Sequence, residues 1–299
     1  MTIPLWIPAT LAAAAAQTAR NATQRRLTET LGTVGATQVR FLYGLPFALA
    51  FLPLVLALTA ERLPPPTTEF LIFVLMGAVT QILATALMLA AMRERSFSLV
   101  TAYIKTEPVQ VAVFGLVVLA DPLTPAMVAA IAIATSGVVI TSLKPGNLPG
   151  AGLGGRPVLL GIVAGAFFAL AATSFRGATL AIEPASFLVR ATATLAWGLA
   201  MQTGLLVLWL TLFNRAALVG SFAQWRSSLL AGFLGALASQ FWFIGFALTS
   251  AANVRTLALV EVPFAYAVSH AAFRQTASGR EIAGMGLIVI GVALLLLAQ

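Results

Sequence analysis

Apolar runs of about 20 residues, each long enough to cross a bilayer as a helix, recur along the whole of this chain. Ten can be read, at 4–24, 33–59, 69–92, 97–119, 124–143, 157–180, 185–213, 227–248, 250–273 and 280–298. Of its 299 residues 60% are hydrophobic and 9% charged, with a mean hydropathy of +0.98. A soluble domain carries roughly a quarter charged residues, so this chain cannot cover a water-facing surface. A membrane β-barrel would need short alternating strands, whereas these runs are continuous and rich in alanine and leucine. The expectation is an all-α polytopic membrane protein.

The net charge of +8 does not point to nucleic acid, because the 17 basic residues are scattered in ones and twos between apolar runs. There is no cysteine, which excludes disulfides, thiolate nucleophiles and zinc–thiolate sites. "MTIPLW" lacks a positive n-region, so the first run is expected to stay as a span. Fifteen arginines against two lysines, with heavy alanine use, suggest a GC-rich bacterial genome and hence the bacterial inner membrane.

The two halves resemble each other. "RNAT" from Arg20 matches "RGAT" from Arg176, "GAVTQ" ending at Gln81 matches "GALASQ" ending at Gln240, and "KTEP" from Lys105 matches "VEVP" from Val260. Their offsets are nearly constant, as a duplication of five spans would leave them. The chain is therefore read as a first five-helix repeat over 1–145, a Gly/Pro linker over 146–156 and a second repeat over 157–299. Five is odd, so the second copy enters the membrane inverted, an arrangement common in secondary transporters. The linker contains a literal GxGxxG at Gly150, Gly152 and Gly155, but a membrane span precedes it where a dinucleotide site needs a strand.

Loop charge sets the orientation. Loops after odd-numbered spans carry Arg25, Arg26, Arg93, Arg95, Lys144, Arg156, Arg215, Arg226, Arg274 and Arg280; those after even-numbered spans carry Arg62 alone. Positive loops stay cytoplasmic, so both termini are expected on the periplasmic side.

An ionisable group at bilayer depth costs at least about 2.5–3.5 kcal/mol and marks function by default. Lys105, Glu107, Arg255 and Glu261 are such groups. Glu107 lies ten residues into its run, about 15 Å at 1.5 Å per residue, and Glu261 sits at a similar depth in the matching run. Each is near a proline. Pro108 and Pro263 cannot donate to the carbonyls of Ile104 and Leu259, so both fourth spans should break near the midplane. Irregular backbone there is tolerated where it lines a cavity or is buried in protein, and paired interrupted helices are the best sequence pointer to a substrate site. Lys105 and Glu107 stand about 200° apart on an ideal helix, so Lys105 needs a partner of its own, either an acid or a passing anion. Gln81, Gln240, Tyr103, Trp242 and Tyr266 complete the candidate binding set. Thr124 with Pro125, and Ser278 with Glu281, read as helix N-caps. His270 reads as an interface residue. "GMGLIVIG" in the last span offers a small-residue packing face, open to use between protomers as a homodimer contact through peripheral helices. No residue pattern calls for a metal or a cofactor.

With "TEPVQVAVFGLVVLADPLTPAMVAAIAIATSGVVI" in the first half and "VEVPFAYAVSHAAFRQTASGREIAGMGLIVIGVALLL" in the second, the chain resembles the drug/metabolite transporter superfamily, in particular its ten-helix EamA branch. It is similar to that branch's aromatic-amino-acid exporters. The resemblance implies ten helices in two inverted repeats around a central cavity, lined by helices 1–4 and 6–9. It also places Tyr103, Lys105, Glu107 and the residues around Glu261 by that cavity. The four-helix multidrug members carry an acid midway along their first helix; "LAAAAAQTA" carries none here, which counts against that route to proton coupling.

The expected function is export of amino acids, aromatic ones first, or similar amphiphilic metabolites across the inner membrane by alternating access. The alternative is a proton-coupled multidrug or cation exporter. An intramembrane hydrolase would need a Ser–His or two-Asp constellation, yet no span holds an aspartate and Ser269 adjoins His270 on a different helix face.

Overall fold

A computed structural model describes residues 3–94, 100, 103–142, 156–263, 266 and 278–298, with backbone alone at 21–34, 36, 92–94, 142, 157 and 227. The expected linker, apart from Arg156, lies outside these residues. So do His270 and most of the ninth span beyond Pro263. Among the described residues all regular structure is helical. In chain order the helices are α1 (Trp6–Leu42), α2 (Leu45–Thr59), α3 (Thr68–Glu94), α4 (Glu107–Leu119), α5 (Pro125–Ser142) and α6 (Arg156–Leu180). They continue as α7 (Phe187–Phe213), α8 (Arg215–Ala223), α9 (Trp225–Leu248), α10 (Ala251–Leu257) and α11 (Gly279–Leu297), with a 3₁₀ turn at Ala258–Val260 before α11. Among the described residues, six segments are long and apolar enough to cross a membrane: Thr37–Thr59, Thr68–Ala91, Val158–Leu180, Phe187–Phe213, Ser228–Leu248 and Gly279–Leu297. Glu107–Leu119 and Pro125–Thr141 are shorter apolar helices.

The chain folds as two compact units. Unit 1 comprises Met1–Ile82 and Ala171–Ser250, and unit 2 comprises Leu83–Leu170 and Ala251–Gln299. Helices α3 and α6 contribute to both, and each unit draws on chain from before and after the expected linker.

In unit 1, α1 packs along α9, and α7 packs on both α2 and α9. Phe70, Val74, Ala178, Ile182 and Ala193 form a buried cluster with Trp197 against it, its ring 6.4 Å from Phe70 and edge-on. Trp197 is thus packed against the protein core. The break expected near residues 25–32 is absent, since α1 is helical throughout. The helix is nevertheless not straight. Arg20 Cδ and Arg40 Cγ each lie within 4 Å of the point where a Gly235 Cβ would sit, whereas twenty residues of straight helix would separate them by about 30 Å. Helix α1 is therefore bent between these two arginines, so that both approach α9.

In unit 2, α5 and α11 pack through small residues. Side chains at Gly137, Gly284 or Gly291 would run into the facing backbone or into Thr141, Ile288 and Ala134. Only glycine lets these helices approach so closely. The small-residue face of the last span is thus occupied by α5 of its own chain, except at Gly286, which faces open space. The caps read from the sequence are present. Thr124 Oγ1 accepts from the Met127 amide at 3.2 Å, and Ser278 and Glu281 form a reciprocal capping box.

A cation-bearing crevice and a charge quartet

Unit 2 contains both interrupted segments. The fourth span breaks where expected: Lys105 and Thr106 form a turn and α4 restarts at Glu107 with Pro108 in its first turn. Tyr103's carbonyl accepts from the Thr106 hydroxyl at 2.7 Å and from its amide at 3.3 Å. The Ile104 carbonyl, denied a donor by Pro108, lies against Gly165, where a Cβ would stand 3.2 Å from it. In the matching segment α10 gives way to the 3₁₀ turn at Ala258–Val260. There the Glu261 amide donates to the carbonyls of Ala258 and Leu259, replacing the bond that Pro263 cannot make.

The four ionisable groups of these segments pair crosswise. Lys105 Nζ contacts the Glu261 carboxylate, and Arg255 Nε lies 3.2 Å from Glu107 Oε1. All four side chains are largely buried, between 11% and 17% exposed. Each base thus meets the acid of the other segment. Lys105 and Glu107 thus point to different partners. In low dielectric an isolated charge is prohibitive, and two crossed pairs leave the cluster formally neutral. Tyr103 packs against Gly161, where a Cβ would meet its Cβ at 2.9 Å. Tyr266 is half-buried in the same unit.

The remaining three candidates lie in unit 1. Gln81 accepts a hydrogen bond from Gln202 Nε2 at 2.6 Å. Gln240, its expected counterpart, donates instead to Thr192 Oγ1 at 2.9 Å. Trp242 is buried, and its indole N–H donates to Gln17 Oε1 at 3.2 Å. Of the three, Gln81 lines a crevice of unit 1 that Gln240 and Trp242 do not line.

That crevice is built from five helices of unit 1. Helix α1 contributes Arg40 and Phe41, α3 Gln81, α6 Phe175, α7 Leu195, Gly198, Leu199 and Gln202, and α9 Gly235, Ser239 and Phe243. It holds about 280 Å³ of atom-free space including its mouth, and the part clear of its walls has room for about one water. Phe175 is seated between glycines: a Cβ on Gly77 or on Gly198 would stand 2.8 or 3.1 Å from its ring. Its ring centroid is 4.7 Å from that of Phe243, with the planes tilted 37°. The Arg40 guanidinium stands over Phe41, 5.2 Å from the ring centre, an arrangement favoured by the ring's negative face.

Arg40 and Gln202 are absent from the candidates drawn from the sequence. A signal for Arg40 was available, since Val39–Arg40 recurs as Val189–Arg190 in the second span of the other half. The second-half arginines have a different task. Arg176 Nη1 donates to the carbonyls of Phe246 at 2.7 Å and Thr249 at 2.5 Å. Arg190 pairs with Glu183 and reaches the Ala247 carbonyl at 3.5 Å. Together they hold the carbonyl end of α9, where a helix favours cations.

Residues 4–143 match the EamA-like transporter family. No curated protein matches the chain. One solved structure, described only as the crystal structure of a protein, aligns with a TM-score of 0.70 at 16% identity, covering 98% of this chain and 95% of that one. That likeness is one of fold.

Proposed function

We propose that this chain is a secondary transporter of the bacterial inner membrane that exports aromatic amino acids or similar amphiphilic metabolites. It would work by alternating access between two inverted repeats spanning 1–145 and 157–299. The observation that carries this reading is the unit 1 crevice, where a guanidinium, an amide pair and three phenylalanines converge. A zwitterion with a ring needs a cation for its carboxylate, acceptors for its ammonium and apolar walls. The family match over the first half is in keeping with transport. Both fourth segments break beside a proline, as midplane sites of transporters do. A cation exporter fits less well, because among the described residues lining the crevice the single charged side chain is Arg40.

The test is uptake into liposomes holding the purified protein, comparing phenylalanine, tryptophan, threonine and a lipophilic cation. Phenylalanine and tryptophan should enter faster than into empty vesicles. Movement of the cation alone, or of none, would overturn the reading.

A further inference from the structure

We propose that α8 lies in the membrane interface and gathers anionic lipid, with Arg215 and Arg226 receiving the phosphate headgroups. This goes beyond the transport reading and does not depend on which substrate is carried. Helix α8 joins the ends of two segments long and apolar enough to cross a membrane, Phe187–Phe213 and Ser228–Leu248. The chain therefore holds it at the level where both segments leave the bilayer. Its inner face is small and packed against the protein. Ser221 is buried and Ala217 half-buried, and the Ser221 carbonyl accepts from the Tyr43 hydroxyl at 3.0 Å, which ties α8 to the end of α1. The outer face is the unusual one. Arg215, Val219 and Phe222 recur at i, i+4 and i+7, on one side of the helix, and all three are exposed. Val219 is 68% and Phe222 54% exposed, and Phe213 and Trp225 stand exposed at the two ends. So many apolar side chains together mark a surface that is covered.

The charges say what covers it. Arg215 opens α8 and Arg226 follows it at the start of α9; both are exposed, and neither is ion-paired among the described residues. Arg215 Nε donates to the Thr211 carbonyl at 3.3 Å, which anchors its stem at the end of α7. The Arg226 guanidinium lies over Trp225, 5.3 Å from the ring centre, so the cation and the indole sit at one depth. Apolar side chains set between two arginines, with a tryptophan at the boundary, match the layers of a lipid surface, acyl chains below and phosphates above. A guanidinium fork fits phosphate oxygens in paired hydrogen bonds. A second copy of this chain is a poorer match, since it brings 17 basic residues and 9 acidic ones to two cations. The orientation expected from loop charge, which sets α8 on the cytoplasmic leaflet, is in keeping with this, because anionic lipid gives that surface its negative potential.

The experiment reconstitutes the full chain into phosphatidylcholine vesicles and reads tryptophan fluorescence. Small, equal amounts of phosphatidylglycerol or phosphatidylcholine, brominated near the headgroup end of their acyl chains, serve as quenchers. The quenching that disappears in Trp225→Phe reports lipid at α8. That share should show the anionic lipid held in preference to the neutral one by about fivefold for each arginine engaged. The preference should fall towards unity when Arg215→Gln and Arg226→Gln are combined, and should shrink at high salt. Equal quenching by the two lipids at Trp225 of the otherwise unchanged protein overturns the proposal, as does a preference that survives in the double variant. If Trp225→Phe removes no quenching by either lipid, α8 is covered by water or by a second copy, and the proposal fails. Phenylalanine uptake enters none of these readings, so a protein that carries no phenylalanine would sink the transport reading and leave this one standing.

Discussion

The two units handle buried charge in opposite ways. In unit 2, four ionisable groups on two interrupted segments cancel one another in crossed pairs, Lys105 with Glu261 and Arg255 with Glu107. Unit 1 sets its arginines against carbonyl groups, an acid and a crevice wall. Arg176 and Arg190 finish the carbonyl end of α9, while Arg40 and Arg20 stand at Gly235 in the middle of that helix, Arg40 on the wall of a crevice. The lesson is that depth alone does not identify a binding charge. A buried pair whose members satisfy each other is a feature of folding until something displaces one of them, whereas a cation on a cavity wall lies within reach of a molecule that enters the cavity. The signal read most readily from the sequence, an acid beside a midplane proline, locates the first kind.

The largest expected effect comes from breaking a crossed pair. Glu261→Ala leaves Lys105 buried without its acid and should lower stability by about 3–5 kcal/mol, seen as a reduced melting temperature in detergent. Lys105→Met together with Glu261→Leu should restore it. A single variant that melts like the wild type would show that the pair does not hold unit 2 together. Next in size is Gln202→Leu in the crevice, which removes the donor to Gln81 at a buried position. It should cost about 1–3 kcal/mol and weaken phenylalanine transport as well, whereas breaking the unit 2 pair acts on stability. Ser278→Ala, far from either charged site, removes the capping box of α11. It should lower the melting temperature by the equivalent of about 1 kcal/mol with KM unchanged, which separates general destabilisation from loss of the site.

The smallest effect belongs to an exposed carboxylate. Hydrogen bonds from the Ser186 side chain and then from its backbone hold Glu61 below its ordinary pKa of 4.5; the Ser186 amide lies 2.9 Å from Oε2. A folded-state pKa depressed in this way adds stability above the unfolded value and loses it as pH falls through the folded one. The melting temperature of the wild type should therefore drop slightly more than that of Glu61→Gln on acidification below about pH 4.5. Parallel curves would show that this contact adds nothing.

Much of the framework was legible in the sequence. Proline chemistry placed the break before Glu107, and the Thr124 and Ser278 caps followed from hydroxyls at helix starts. These are local effects, settled by residues a few positions apart. Partners were not legible. That Lys105 meets Glu261, or that Gln81 meets Gln202 and not its expected counterpart Gln240, depends on which helices pack together. A sequence periodicity cannot report that. Arg40 was not among the candidates drawn from the sequence. Its place on a crevice wall depends on the packing of α1 against α9.

The account stands or falls on where the substrate is met. The most direct measurement is KM for L-phenylalanine in proteoliposomes carrying either Gln202→Leu or the Lys105→Met/Glu261→Leu pair, side by side with the wild type. A raised KM in the first and a wild-type KM in the second is the result the account predicts. A wild-type KM in Gln202→Leu with a raised KM in the double variant would contradict it and return recognition to the broken fourth helices.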